Sequence, residues 1–319
     1  NTKYDKLNDK TQEKIGEAMV TKPMEVLFEG YDESIYSPSK VVTSDLTTEL
    51  NKIKEDFCFL VCGHWLQGEF GHDRKDISST VKLYFDTFKN VIKKPGLILK
   101  TSGATTSVVD RYDILKKINM VKKSCGGNIK TLPPVYLLHG DLDDAQMNEL
   151  YNHHKIKAMV SLTHGEGFGR PILEFSTTGK PMLVSNWSGH LDVLDTEKSI
   201  LLGGEMQQVP KSQRWKDIII EQSMWFTVDE LKVGKALSYS FENTIEINNK
   251  GKSLMNINRE KCTHAKMTEL LNKVVDKYTK DIATEVGLRL PKLKKVGGDN
   301  IPKIKLPKLK KVTTEGAAV

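Results

Sequence analysis

From Phe57 onward the chain alternates between short apolar runs and longer amphipathic stretches. Phe57–Cys62, Leu97–Lys100, Val135–Leu138, Ala158–Leu162, Pro181–Ser185 and Ile200–Leu202 are too short and too evenly apolar for helices, and they predict buried strands. Between them, Ile77–Ile92 places Val81, Tyr84, Phe85, Phe88 and Ile92 at helical spacing. Val108–Lys123, Asp143–Asn152 and Pro171–Thr178 also predict helices; Asp141–Asp144 supplies start signals, and Pro171 and Gly179 bracket the last of them. Strands alternating with helices at this pitch imply βαβ units, hence an α/β doubly wound parallel sheet covered on both faces. Residues 57–209 form that domain, preceded by a region at 1–56 in which residues 1–22 show weak helical periodicity and Thr47–Lys54 one or two helical turns. Val228–Phe241 and Met255–Ile282 predict helices that pack on the sheet, within a helical part at 210–286.

Composition narrows the class. A chain of 319 residues, 38% of them hydrophobic, can bury a sizeable core. Its four Cys form no C-x-x-C pair, which argues against a disulfide scaffold, a structural zinc site or a thioredoxin-type centre. Cys58 and Cys62 sit in an apolar run and read as small buried hydrophobes. A reducing, cytoplasmic compartment follows, with no run near the ~18 apolar residues of a membrane helix and no signal peptide. A chain opening on Asn1 rather than Met reads as a fragment or a processed form.

The net charge is +7, but its location argues against a nucleic-acid site: residues 287–319 hold nine basic and two acidic residues, the whole excess. Leu290-Pro-Lys-Leu-Lys-Lys-Val296 recurs as Leu306-Pro-Lys-Leu-Lys-Lys-Val312. Prolines and like charges predict a disordered basic tail, either a solvated segment or a contact for an acidic surface, such as the periphery of a membrane. Lacking aromatics, it is a poor platform for bases.

In open α/β sheets ligands bind beyond the carboxyl ends of strands. Two loops there carry chemistry. In Ser161–Glu174, Gly165, Gly167 and Gly169 permit tight turns and close approach to a ligand. The helix start beyond them favours phosphate through free N–H groups and a macrodipole of about +0.5 charge. Glu174 is expected to point back at the same pocket, where a carboxylate accepts two hydroxyls, as from a ribose; Glu166 meets whatever lies beyond the phosphates. The glycine spacing is G-x-G-x-G, and Ser185, Asn186 and Trp187 stand where a dinucleotide site needs an acid. A purely structural glycine turn stays open. In the second loop, Gly63–Lys75, the adjacent cations Arg74 and Lys75 precede a helix whose dipole they oppose, which an anion partner would explain. His164 is placed either to touch a phosphate or to satisfy a backbone carbonyl. His64, His72 and the pair His153-His154 show no metal-ligand spacing, and Trp215 with Trp225-Phe226 reads as core.

These residues carry a resemblance. Glu166-Gly-Phe-Gly-Arg-Pro-Ile-Leu-Glu174 resembles the E-x7-E motif of retaining glycosyltransferases of the GT-B fold, family 4 above all. Val26–Pro38 is similar to the family's lead into its second domain, with Glu29 where Asn is usual. Arg74-Lys75 resembles the pair that holds the nucleotide diphosphate. Val135–Leu142 resembles the segment beside the base, through His139, Gly140 and Leu142. Gly179–Asp192 resembles "G.PVi.s..gG..E", with Asp192 for Glu and His190 for the second Gly.

The resemblance implies the C-terminal half of a GT-B fold, most of the acceptor domain being absent from this chain. It implies transfer of a sugar from a nucleotide-diphosphate donor, of UDP or GDP type, to a hydroxyl acceptor on a glycan, lipid or protein. Configuration is retained and neither metal nor cofactor is used. Glu166, Arg74 and Lys75 then act in catalysis; Glu174, Gly167, Phe168, Gly169, Gly63, His139, Gly140, Leu142 and His164 hold the donor. A domain that binds a nucleotide sugar without transferring it, or that serves a structural role, is the alternative.

Overall fold

The computed structural model describes residues 2–7, 14–38, 44–66, 71–126 and 129–280. The elements run β1 (Thr2–Leu7), β2 (Lys14–Val20), α1 (Asp45–Asn51), β3 (Cys58–Cys62), α2 (Ile77–Phe88), β4 (Gly96–Lys100), α3 (Val108–Ser124), β5 (Val135–Leu138) and α4 (Asp144–Asn152). They continue with β6 (Ile156–Ser161), α5 (Arg170–Ser176), β7 (Met182–Ser185), β8 (Ile200–Leu202), β9 (Gly204–Gln208), β10 (Met224–Val228), α6 (Glu230–Glu242), α7 (Thr244–Lys261) and α8 (His264–Thr279). The compact unit is 1–276; of 277–319 only 277–280 are described, so the expected basic tail and the end of the expected 255–282 helix lie outside the described residues.

Six parallel strands form one sheet in the order β5-β4-β3-β6-β7-β8. The chain winds from β3 out to β5, returns, and winds from β6 out to β8. The switch point therefore lies between β3 and β6. Alternate residues of each strand feed opposite cores: Phe59, Val61, Leu97, Leu99 and Val160 pack one way, Cys58, Leu60, Ile98 and Met159 the other. Both faces are covered, which is why the strands read as unbroken apolar runs. Cys58 is fully buried and Cys62 half-buried.

Local signals explain most helix starts. Asp143 and Gln146 form a reciprocal capping box on α4, Ser107 caps α3, and Asp229 caps α6. Two expectations fail. Residues 2–7 and 14–20 pair as an antiparallel hairpin rather than a helix; strand pairing overrides a weak helical period. The expected helix through Met255–Ile282 is broken at Cys262-Thr263. There Tyr31 N–H donates to the Cys262 carbonyl at 3.0 Å, and His264 N–H donates to the Tyr31 carbonyl at 3.0 Å. A distant strand-like segment thus takes up backbone groups that a continuous helix would have used. The antiparallel pair β9–β10 was not legible either.

Helix α7 lies against the backbone beyond α5. A Cβ on Gly251 would stand 2.6 Å from the Gly179 carbonyl oxygen and 2.5 Å from the Lys180 carbonyl carbon. Gly251→Ala is therefore expected to lower unfolding free energy by about 1–3 kcal/mol. Gly234→Ala, in α6 with only Thr87 Oγ1 at 3.4 Å, is expected to raise it by about 0.5–1 kcal/mol. Urea unfolding of the two variants checks the contrast; equal midpoints would refute the close approach.

Candidate functional site

The loops after β3 and β6 meet at the switch point and are stitched together. His164 N–H donates to the Arg74 carbonyl at 2.9 Å, and the Thr163 hydroxyl donates to the same oxygen at 3.1 Å. This brings Arg74, Lys75 and Glu166 to one cavity of about 740 Å³. Lys75 Nζ pairs with Glu166 Oε1, Arg74 NH1 with Glu166 Oε2 at 3.1 Å, and Arg74 NH1 also donates to the Gly165 carbonyl at 2.6 Å. The Glu166 side chain is 9% exposed and that of Arg74 57%. Burial pushes the Glu166 carboxyl up, but Lys75 and then Arg74 override it and hold it below its ordinary value. The half-buried Lys75 contributes more than the largely solvated Arg74.

A third loop fixes Glu166. Its N–H donates to Ser188 Oγ at 2.7 Å, and Ser188 Oγ donates back to the Glu166 carbonyl at 3.0 Å. Gly189 N–H donates to the same carbonyl at 3.1 Å, and any Cβ at Gly189 would collide with the Gly167 carbonyl. The segment Trp187–Gly189 after β7 is therefore the wall that holds the acidic loop.

His164 satisfies a backbone carbonyl and also lines the cavity. Its Nδ1 donates to the Phe226 carbonyl at 2.7 Å, which places a proton on Nδ1, and its ring stacks on Trp225 at 4.0 Å and 12°. Its Nε2 is buried without a hydrogen-bond partner, 3.9 Å from Asp76 Oδ2. Beneath it, Asp76 caps α2 in the left-handed region, at φ 49°, while Asp73 Oδ2 accepts from Ile77 N–H at 3.1 Å. Burial pushes Asp76 up to about 7.

Gly167 lines the cavity with the triad, whereas Phe168 packs on the core that also carries Leu142. Gly169 caps α5 at φ 87°. That helix has seven residues, close to the expected length. Gly63 sits beside Lys75; a Cβ there would lie 3.3 Å from Lys75 Cγ. His139 and Gly140 end β5, with the His139 ring nitrogens 3.3 and 3.1 Å from the Thr101 and Ser107 carbonyls and Lys100 Nζ donating to the Gly140 carbonyl at 2.7 Å.

Glu174 departs from the expected convergence: the two carboxylates line different cavities. Glu174 is the fifth residue of α5, past its first turn, so its side chain is carried under Tyr151. It accepts from the Tyr151 hydroxyl and from Arg170 NH2, each at 3.3 Å. It lines a cavity of about 350 Å³ with Tyr36, Asp144 and Glu29. Burial raises its pKa, Arg170 opposing.

The aromatic residues were misjudged. Trp187, Trp215 and Trp225 line the triad's cavity, and Trp215 is 63% exposed. Phe226 alone of the expected set is buried, and Trp65 also goes to the core. Trp187 follows β7 by two residues, whereas Trp215 stands on the β9–β10 connection and Trp225 within β10, elements that the apolar pattern did not reveal. Among the described residues no cluster of three or more His, Cys, Asp or Glu could hold a metal ion, and no helix is long and apolar enough to cross a membrane.

No protein-family profile and no curated protein matches the chain. Solved structures do match in fold. A glycosyltransferase from Rickettsia africae superposes with a TM-score of 0.55 at 11% identity, over 78% of this chain and 55% of that one. Anabaena HepE, in complex with UDP and glucose, gives 0.54 at 12%, over 79% and 57%. The sucrose-phosphate synthase of Thermosynechococcus elongatus gives 0.53 at 13%, over 79% and 52%. The chain spans about half the length of these proteins. At such identities the likeness is one of fold, and the six-stranded parallel sheet with its flanking helices is the C-terminal-domain fold of GT-B glycosyltransferases.

Proposed function

We propose that this chain is the donor-binding half of a glycosyltransferase that uses a nucleotide-diphosphate sugar. The observation that carries the reading is the meeting of Arg74, Lys75 and Glu166 in one cavity at the β3/β6 switch point. Two adjacent cations there suit a pyrophosphate. Glu166 neutralises them within the protein, which lowers the cost of keeping Lys75 half-buried. A diphosphate entering the cavity takes over both cations and leaves Glu166 to accept hydroxyls of the donor sugar.

The β5 corner, with His139, Gly140 and Leu142, lies two strand spacings from β3, about 10 Å. That distance matches a nucleoside whose base rests at the corner while its phosphates reach the cations. In the transfer, the acceptor oxygen bonds the anomeric carbon as the bond from that carbon to the phosphate oxygen breaks. The electron pair leaves on the nucleoside diphosphate, and the acceptor's proton passes to that phosphate. The cations offset the charge that develops on the leaving group. Retention of configuration and independence of metal belong to this proposal. HepE, with UDP and glucose bound, supports the donor class by fold likeness.

Calorimetry with UDP, GDP and ADP tests the reading: micromolar binding of one of them is expected, and none binding would refute it. Glu174, which lines a separate cavity, is assigned to the ribose. Glu174→Gln is expected to weaken UDP binding about tenfold, as the loss of one charge-assisted hydrogen bond requires, and 2′-deoxy-UDP binding far less. Equal losses for the two nucleotides would remove Glu174 from the ribose.

A further inference from the structure

We infer that the aromatic end of the triad's cavity is a saccharide subsite, and that the acceptor of the proposed transfer is therefore a glycan. The inference rests on the donor assignment above and concerns the part of the cavity which that donor leaves open. Strand β7 is four spacings from β5, about 19 Å along the sheet. A nucleotide reaching from the β5 corner to Arg74 and Lys75 ends at the junction of β3 and β6. The space over β7 lies beyond it.

That space is walled by three of the chain's four tryptophans, Trp187, Trp215 and Trp225. Trp225 is stacked on His164, at 4.0 Å and 12°, and both line the cavity. Trp187 stacks near Phe226, at 6.1 Å and 14°, and keeps 42% of its surface exposed. Trp215 stands on the connection between β9 and β10. This connection is held by its own bonds: Trp215 N–H donates to the Ile219 carbonyl at 3.2 Å, Ile219 N–H returns to the Trp215 carbonyl at 3.0 Å, and Arg214 Nε donates to the Val209 carbonyl at 3.2 Å. The indoles are thus presented on ordered backbone, at little entropic cost to a ligand.

The chemistry selects the ligand. Flat indole faces match the C–H faces of a pyranose, and polar groups at the floor match its hydroxyl rim; Ser188, Ser223 and Glu166 line the same cavity. An alkyl chain would take water from those polar groups and offer them no hydrogen bond in return. The subsite also adjoins Glu166, so a sugar resting there has its hydroxyl beside the donor's anomeric carbon.

Tryptophan emission of the protein, titrated with tetramers of α- and β-linked glucose, mannose, galactose and N-acetylglucosamine, tests the inference. At least one tetramer is expected to shift the emission. Trp215→Ala and Trp187→Ala are each expected to weaken that tetramer about tenfold, with Trp215→Phe recovering most of the loss. UDP affinity is expected to hold in Trp215→Ala. The inference is overturned if no tetramer binds, or if Trp215→Ala weakens UDP as much as the sugar, which would give the indoles to the base. It is also overturned if dodecyl phosphate binds in a Trp215-dependent way and no tetramer does. Failure of UDP to bind, with the tetramer still bound, sinks the donor reading alone.

Discussion

Replacing Arg74 and Lys75 together by alanine is expected to weaken UDP binding between about a hundredfold and ten-thousandfold, since charge-assisted hydrogen bonds contribute roughly 1.5–3 kcal/mol each. Lys75→Ala alone should account for more of this than Arg74→Ala. The Lys75 side chain is 19% exposed against 57% for Arg74, so its charge is less screened. Glu166→Gln separates binding from turnover. It removes the carboxylate that pairs with both cations, so UDP affinity should hold or rise while sugar transfer falls. Calorimetry with UDP, beside a transfer or hydrolysis assay of the UDP sugar, reads both effects. Unchanged UDP affinity in the double variant would place the diphosphate elsewhere.

Asp76→Asn is expected to make the protein more stable at pH 8 and to flatten its stability between pH 5 and pH 8. Asp76 is 2% exposed, and burial first, then Asp73 and Glu230, push its carboxyl from 3.8 up to about 7, with Ser79 opposing. Burial pushes the pKa of the neighbouring His164 down, which weakens any compensation from that side. A folded-state pKa above the unfolded one means that the folded state holds the proton more tightly. The resulting stability is complete below about pH 4 and is lost as pH climbs through about 7. A shift from 3.8 to about 7 corresponds to at most about 4 kcal/mol at pH 8. Asn tolerates the left-handed backbone at this position and carries no charge to bury. Urea unfolding at the two pH values checks it; a parent protein whose stability rises toward pH 8, with the variant following in parallel, would refute the assignment.

Much of the sheet was legible because its physics is local. Strands buried on both faces are apolar at almost every position, and Cys58–Cys62 and Met182–Ser185 lie within runs read by that rule. The Asp143 box set the start of α4. Arg74, Lys75 and Glu166 were legible as candidates because each follows a strand of a doubly wound sheet. The aromatic residues were not, because an indole after a strand reads alike whether it enters the core or walls a cavity. Trp65 took the first course and Trp215 the second. Glu174 was expected in the first turn and is the fifth residue of α5, and its carboxylate lines a different cavity from that of Glu166.

The residue order by itself determined the α/β class, the parallel winding and the loops that carry charge, since periodicity and loop position depend on near neighbours. Only the tertiary structure decided which charges meet. Arg74 and Glu166 lie 92 residues apart and join because β3 and β6 are adjacent strands. Tertiary packing also broke the last long helix at Cys262, where Tyr31 claims its backbone, and turned three tryptophans toward the cavity. Contacts between distant segments depend on strand order and on which surfaces other elements cover, and no local pattern encodes either.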